Sequence, residues 1–291
     1  MSPCQACGAL EQTRAAYPSA ARQANALGFE RIALCARCGM GVAEPRQEQA
    51  ALDAFYARGG YWDAGGAAPA QSAHARNQCL HRARFAAGRT PPVDRIRVLD
   101  VGGGEGWLGP ALRQGIGARV AEYHCVEPDP RVRERPEPPD GPRRRSLETL
   151  AEAEGPYEMV FLNQVLEHVA DPLALLRAAA ALLSAEGILY VESPNADYRF
   201  KADVFPHTLF FTGEALQRLA ERAGLETSVC ESFGRSATRP SGAGDLVARA
   251  GYRVSVAVGA SAMAQRFDDA YWNYSPRGDG LWLRWLGRKP A

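Results

Sequence analysis

The stretch Arg97-Val-Leu-Asp-Val-Gly-Gly-Gly-Glu-Gly-Trp-Leu-Gly109 decides the fold. The short apolar run Ile96 to Val101 reads as a buried parallel strand. It stops at Gly102, Gly103, Gly104 and Gly106, and a helix pattern follows. Glycines at that point let the backbone turn sharply and approach a ligand closely. Strand, glycine turn and helix together open a nucleotide-binding α/β unit, against the plainer alternative of a structural turn with no ligand.

The ligand is argued from charge. Gly104-x-Gly106-x-x-Gly109 fits the dinucleotide fingerprint, a weak signal alone. Dinucleotides place an anionic pyrophosphate at the first helix N-terminus, and the carboxylate of Asp100 just before the glycines would repel it. S-adenosylmethionine has no phosphate and carries an ammonium and a sulfonium, so Asp100 suits the ammonium side of the loop. Gly102 and Gly104 would give the close backbone approach. Glu127 ends a second apolar run, Glu122-Tyr-His-Cys-Val-Glu127, where a carboxylate can accept hydrogen bonds from both ribose hydroxyls of either cofactor.

The 291 residues, 46% hydrophobic, can bury one sizeable core plus a small appendage. A net charge of +1 gives no broad basic field for nucleic acid, and Arg143-Arg144-Arg145 reads as a solvated turn before it reads as a binding patch. No apolar run approaches the ~20 residues of a membrane span, and Met1-Ser-Pro-Cys lacks the apolar region of a signal peptide. The expectation is a cytoplasmic protein without membrane or nucleic-acid partners, its seven cysteines reduced or bound to metal.

Residues 1–45 hold Cys4-x-x-Cys7-Gly8 and Cys35-x-x-Cys38-Gly39. Each pair can form a knuckle aiming two sulfurs at one ion, and two knuckles supply the tetrahedral sulfur set that zinc prefers. The 27 residues between the pairs exceed the usual spacing of about 15–20, which lengthens a loop without preventing closure. A redox Cys-x-x-Cys is the alternative, but neither pair opens a helix after a strand. Four cysteines leave no open position for chemistry, so structural zinc is expected on Cys4, Cys7, Cys35 and Cys38.

Residues 46–92 read as a helical connector or substrate cap, with one helix from Glu48 to Tyr56 and another from Gln71 to Ala87. Tyr56, Tyr61 and Trp62 either pack the connector on the core or line a substrate mouth. From 93 to 291 strands and helices alternate, implying a parallel sheet covered on both faces. Pro128 to Arg145 should contain a shortened helix and reach a third strand near Arg144 to Leu147. Tyr157 to Asn163 reads as the fourth strand, and its carboxyl end, Asn163-Gln164, must open onto the ligand crevice. Asp171 caps a helix with Pro172 in its first position. That helix is expected to run to about Ser184, turn at Glu186-Gly187, and lead into a fifth strand, Ile188 to Glu192. Thr212 caps a further helix that Gly224 stops, Leu225 to Phe233 reads as the sixth strand, and the last strand starts at Gly280. The insertion 234–278 between them holds an apolar Tyr252–Val258 run and the aromatics Tyr271-Trp-Asn-Tyr274, which suit a lid, a homodimer contact or plain packing.

Val98-Leu-Asp-Val-Gly-Gly-Gly-Glu-Gly106 resembles motif I of the class I S-adenosylmethionine-dependent methyltransferases. Asn163-Gln-Val-Leu-Glu-His-Val-Ala-Asp-Pro172 is similar to the segment after the fourth strand in small-molecule members. Phe205-Pro-His-Thr-Leu-Phe-Phe-Thr212 resembles the histidine segment of zinc-ribbon methyltransferases that modify sugars and other metabolites, and the chain closes on a Gly-Asp…Arg-Lys-Pro strand as that family does. The resemblance implies an α/β fold, a Rossmann-like class I methyltransferase sheet with helices on both faces, plus a small N-terminal four-cysteine zinc ribbon. It implies S-adenosylmethionine as cofactor, with Ser146-Leu147 beside the adenine and Asn163 and Gln164 at the pocket edge. In related ubiquinone-type O-methyltransferases a glutamate two residues before the position of Leu166 joins the Glu-His pair to hold a divalent metal; here that position is Gln164. Glu167 and His168 could equally form a hydrogen-bonded turn. In the sugar C-methyltransferases the residue matching His207 lies over the substrate as a candidate base, often after a glutamate that is Pro206 here. His207, backed by His168, is the expected catalytic residue.

The expectation is methyl transfer to an oxygen, nitrogen or carbon of a small molecule, a specialised metabolite or nucleotide-linked sugar. A non-catalytic zinc-ribbon scaffold that binds S-adenosylmethionine and an NAD-linked oxidoreductase are the alternatives, the latter disfavoured by Asp100.

Overall fold

The computed structural model describes residues 3–18, 27–58, 71–237, 242–258, 260, 263–264, 266–267 and 279–290. Tyr61, Trp62 and the aromatic run 271–274 lie outside them.

The strand predicted from the opening stretch is β4 (Ile96–Val101), inside a seven-stranded sheet and two strands from one edge. Beside it on one side lie β5 (Val120–Val126) and β6 (Arg144–Leu147), and on the other β7 (Tyr157–Asn163) and β8 (Leu183–Pro194), all parallel. β11 (Gly280–Arg288) runs antiparallel between β8 and β10 (Glu226–Ser236), and β10 forms that edge.

Two residues per repeat along β4 divide its side chains between two cores. Leu99 and Val101 face α5 (Pro172–Ala181) and α6 (Gly213–Arg222), packing with Leu176, Ala179, Leu216 and Leu219. Ile96 and Val98 face α2 (Gln71–Ala87) and α3 (Leu108–Ile116), packing with Ala83, Ala86, Ala111 and Leu112. Burial on both faces explains why β4 and β7 read as continuous apolar runs. The shortened helix is one turn, α4 (Pro130–Arg133), capped by Asp129.

The two cysteine pairs sit on a separate antiparallel sheet of β1 (Gln12–Ala16), β2 (Arg31–Cys35) and β3 (Gly41–Glu44). A fourth strand completes it: β9 (Leu209–Phe210), from just after His207, pairs with β3. Tyr17, Phe29, Ile32 and Ala43 of the first three strands and their flanks bury against Val204 and Phe210. The connector helix α1 (Gln49–Ala57) follows β3.

Two expectations are corrected. The helix after Asp171 ends at Ala181, and β8 starts at Leu183, not Ile188. β7 supplies the reason: Tyr157 pairs with Leu183 and its amide donates to the Leu182 carbonyl, so available ladder partners draw the chain out of the helix early. Part of the insertion is helical, α7 (Ala243–Ala257), which absorbs most of the apolar run at Tyr252–Val258.

Candidate functional site

The glycine turn after β4 and the carboxyl ends of β5, β7 and β8 form one edge, where ligands of open α/β sheets bind. Gly102, Gly104 and Gly106 have φ of 67°, 56° and 83°, the left-handed region glycine adopts without cost. A Cβ on Gly103 would meet Asp100 Oδ2 at 2.6 Å and Cys125 Sγ at 2.7 Å. The turn is therefore packed directly on the strand ends beneath it.

Glu127 closes β5. Oε2 accepts the Gly104 amide at 3.1 Å and Oε1 the Asp129 amide at 3.0 Å, while its own amide donates to the Leu147 carbonyl at 3.0 Å. Burial pushes its carboxyl up to about 7, against the pull of those two amides. The carboxylate is thus fixed at the turn with lone pairs left for hydroxyl donors, which suits a ribose. Leu147 is buried beside Glu127, whereas Ser146 is exposed on the edge strand.

Asp100 lies beneath the turn, 2% exposed, on the α2/α3 face. Tyr123 Oη donates to Oδ2 at 2.6 Å and Asn163 Nδ2 to Oδ1 at 3.4 Å. Burial pushes its carboxyl up to about 6, with those bonds and Arg82 opposing. Its charge is delivered from under the loop; the atom at the edge is Asn163 Oδ1, buried and without a hydrogen-bond partner. Gln164 adopts φ of 57° and donates Nε2 to Glu192 Oε1 at 3.2 Å. Glu192 in turn pairs with the buried Arg82 and accepts Tyr190 Oη at 3.1 Å. Nothing in the sequence marks this buried pair, since Arg82 is one of several arginines between Gln71 and Ala87.

A second constellation adjoins the edge. The turn Leu166–His168 and the segment between β8 and β9 bring Glu167, His168 and His207 together, with donor atoms all within 4.8 Å of one another. Asp197 Oδ2 holds His207 Nδ1 at 2.9 Å and Lys201 Nζ at 2.8 Å. Burial would raise the Asp197 carboxyl, but His207 and Lys201 bring it below its ordinary value. Tyr56 Oη of α1 bonds His168 Nδ1 at 2.7 Å, and burial and the charge of His207 hold His168 well below its ordinary value. Glu167 is fully buried and its carboxyl is pushed up to about 7 by that burial. Gln164, at the position of the additional metal-binding glutamate of the ubiquinone-type enzymes, donates Nε2 to Glu192 Oε1. Asp197 was not singled out in the sequence; an acidic residue ten before His207 in the same crevice segment was the available signal.

Cys4, Cys7, Cys35 and Cys38 converge, with Sγ–Sγ distances of 3.6 Å for Cys4–Cys38 and 3.5 Å for Cys7–Cys35. Tetrahedral sulfurs around zinc, at bonds of about 2.3 Å, stand about 3.8 Å apart, so the set fits. The hydrogen bond with Cys38 draws the Cys4 thiol below its ordinary value, against burial. Gly8 and Gly39, at φ of 75° and 70°, form the knuckle turns.

A glycine-turn Rossmann-like sheet with an antiparallel final strand is the class I methyltransferase fold, here accompanied by a separate four-cysteine ribbon. Residues 72–228 match the family described as "Methyltransferase domain", and the chain belongs to that family. It is 35% identical over 161 residues to the ubiquinone biosynthesis O-methyltransferase of Xanthomonas campestris pv. campestris (strain B100), covering 50% of this chain and 62% of that one. Against the protein of the same name from Caulobacter sp. (strain K31), identity is 33% over 139 residues, covering 44% and 52%. The chain therefore spans roughly half to three-fifths of these relatives' length. The fold is shared with magnesium protoporphyrin IX methyltransferase of Synechocystis PCC 6803, solved with bound SAH (TM-score 0.50, 13% identity, 84% of this chain and 100% of that one). It is also shared with a chain of the Haloferax volcanii complex between the Trm112 methyltransferase activator and a methyltransferase (TM-score 0.51, 16% identity, 82% and 98%).

Proposed function

We propose that the protein transfers a methyl group from S-adenosylmethionine to an oxygen, nitrogen or carbon nucleophile of a small-molecule acceptor. The observation that carries this reading is Glu127, anchored by two backbone amides at the glycine turn, with the histidine cluster on the neighbouring strand ends. The donor supplies an electrophilic methyl on its sulfonium. Glu127 accepts the ribose hydroxyls, Leu147 and the adjoining Ser146 border the adenine, and Gly102 and Gly104 give the backbone approach. Asn163 Oδ1 meets the ammonium end, with the charge of Asp100 beneath the turn and Gln164 beside it.

The acceptor then lies over Glu167, His168 and His207, whose part is to hold its nucleophile in the proton-free form. Asp197 fixes the His207 ring and Tyr56 the His168 ring, so each imidazole keeps one orientation. Alignment of donor and acceptor can contribute about 7–11 kcal/mol in well-oriented systems, and control of the acceptor's proton about 10²–10⁴-fold. The ribbon is a structural zinc site. The names of the curated relatives support an O-methyl acceptor of metabolite size.

Calorimetry with S-adenosylhomocysteine tests the donor half, and intact-mass screening of a metabolite panel for the gain of one CH₂ tests the acceptor half. Binding with turnover is expected, and His207→Ala should keep the binding and lose about 10²–10⁴-fold in turnover. Absence of S-adenosylhomocysteine binding would favour the scaffold alternative, and full activity of His207→Ala would remove His207 from the reaction.

A further inference from the structure

We propose that Gln5 is a positioning residue for the two acceptor-side histidines: together with Thr212 it transmits the closure of the four-cysteine centre to the spacing of His168 and His207. Each histidine stands on a segment held by a different cysteine knuckle. Gln5 lies inside the first knuckle, between Cys4 and Cys7, and its Nε2 donates to the Ala170 carbonyl at 2.6 Å, two residues beyond His168. The Ala170 amide donates to Gln49 Oε1 of the connector helix at 3.0 Å. Both backbone groups of Ala170 are therefore taken by side chains from outside its own segment, and a loop without ladder partners takes its position from such bonds. The second knuckle holds the other segment. The Cys38 carbonyl accepts the Thr212 hydroxyl at 2.7 Å, and β3 beyond it donates the Ala43 amide to the Thr208 carbonyl at 2.8 Å, one residue after His207.

The sulfur contacts cross from one knuckle to the other: Cys4 meets Cys38 at 3.6 Å and Cys7 meets Cys35 at 3.5 Å. Closing the sulfur set therefore draws the anchor of His168 toward the anchor of His207. Arg222 keeps Gln5 aimed, with Nη1 donating to the carbonyls of Gln5 at 2.5 Å and Cys4 at 3.3 Å. The two segments also touch directly, where the Glu167 carbonyl accepts the Thr208 amide at 2.8 Å and the Thr208 hydroxyl at 3.1 Å. That contact is a pivot. It leaves the splay of the rings on either side to the outer anchors at Ala170 and Thr212. The result is a ring pair with centroids 5.0 Å apart and planes at 69°. A fixed spacing of this kind depends on supporting groups that touch no ligand. Coupling across the molecule needs a contiguous chain of packed or bonded groups, which Cys4, Gln5, Ala170 and His168 supply. Among the described residues Gln5 Oε1 has no hydrogen-bond partner, so the donor Nε2 is the half of this side chain that the fold uses.

The inference rests on the proposed function for the role of the two histidines, but its first readout needs no turnover. In the full chain loaded with Zn²⁺ and labelled in its histidine rings, the nuclear Overhauser effect between His168 and His207 reports their spacing. His207→Ala identifies the signal. Gln5→Met keeps the side-chain length and removes the donor. It should weaken the ring-to-ring effect and shift the His168 signals, leaving those of His124, bonded to Tyr157 elsewhere in the sheet, unchanged. S-adenosylhomocysteine affinity should stay at the wild-type value. Gln5→Lys returns a donor to the Ala170 carbonyl and should restore the effect. In turnover the Gln5→Met loss should fall on kcat, by up to about 10²-fold, the scale of a misplacement of about 1 Å. Should Gln5→Met fail to fold, Thr212→Val carries the same expectation from the second knuckle. An unchanged ring-to-ring effect in folded Gln5→Met would overturn the proposal, as would a loss that Gln5→Lys leaves in place. Failure of the wild-type chain to bind S-adenosylhomocysteine would retire the donor assignment and leave the spacing result standing.

Discussion

Glu127 shows how a single burial sets a pH dependence. Its folded-state pKa, about 7, lies above the ordinary 4.5, so the ligand-free folded chain holds this proton more tightly than the unfolded one. That contribution to stability is complete below about pH 4.5 and is lost as pH rises through about 7. A ribose hydroxyl needs the ionised carboxylate as acceptor. S-adenosylhomocysteine binding should therefore tighten with rising pH, by up to about tenfold per unit below pH 7, and release a proton. Calorimetry in buffers of different ionisation enthalpy measures both. Glu127→Gln should weaken binding and flatten the slope, and a flat wild-type profile would argue against this residue as the ribose ligand. The buried pair Arg82–Glu192 makes a different prediction. Arg82→Met leaves Glu192 charged and uncompensated, and should cost about 3–5 kcal/mol in chemical denaturation. Gly103→Ala should cost about 1–3 kcal/mol, because its Cβ meets the buried Asp100 and Cys125 side chains.

Among the elements, β9 joins the two parts of the molecule with only two residues. Its flank Thr212 serves both sides, accepting the Ala215 amide at 3.1 Å as the cap of α6 and donating to the Cys38 carbonyl at 2.7 Å. Thr212→Val keeps the volume and removes both bonds, and should cost about 1–3 kcal/mol in a denaturant titration. A loss no larger than that of an exposed threonine would mean that the ribbon contact contributes nothing. α7 carries Leu246, Val247 and Val254 on the surface, 58%, 64% and 61% exposed, outside the two main cores.

At the scale of the whole molecule, the ribbon and the sheet share the segment bearing His207. Under the zinc assignment proposed above, a chelator should raise amide exchange at Leu209 and Phe210, through their pairing with β3, while β4 and β5 keep their protection. Exchange unchanged at β9 would show that the two parts are independent. Several features were legible in the amino-acid order. The apolar run into glycines at Val101–Gly104, the glutamate ending β5, the caps at Asp171 and Thr212, and the spaced cysteine pairs all act within a few residues of themselves. Backbone geometry, side-chain period and metal-ligand reach are local properties, so local order specifies them. The rest required the folded chain. Nothing near Leu209 announces a strand, because two residues become one only where β3 offers unpaired backbone groups. Asp197 becomes the partner of His207, Tyr56 of His168 and Arg82 of Glu192 through packing across 10, 112 and 110 positions. The sequence by itself thus determined the sheet, its glycine turn and the cysteine set. The tertiary structure alone decided which buried charges meet, because a charge finds its compensation in space and leaves no periodic mark along the chain.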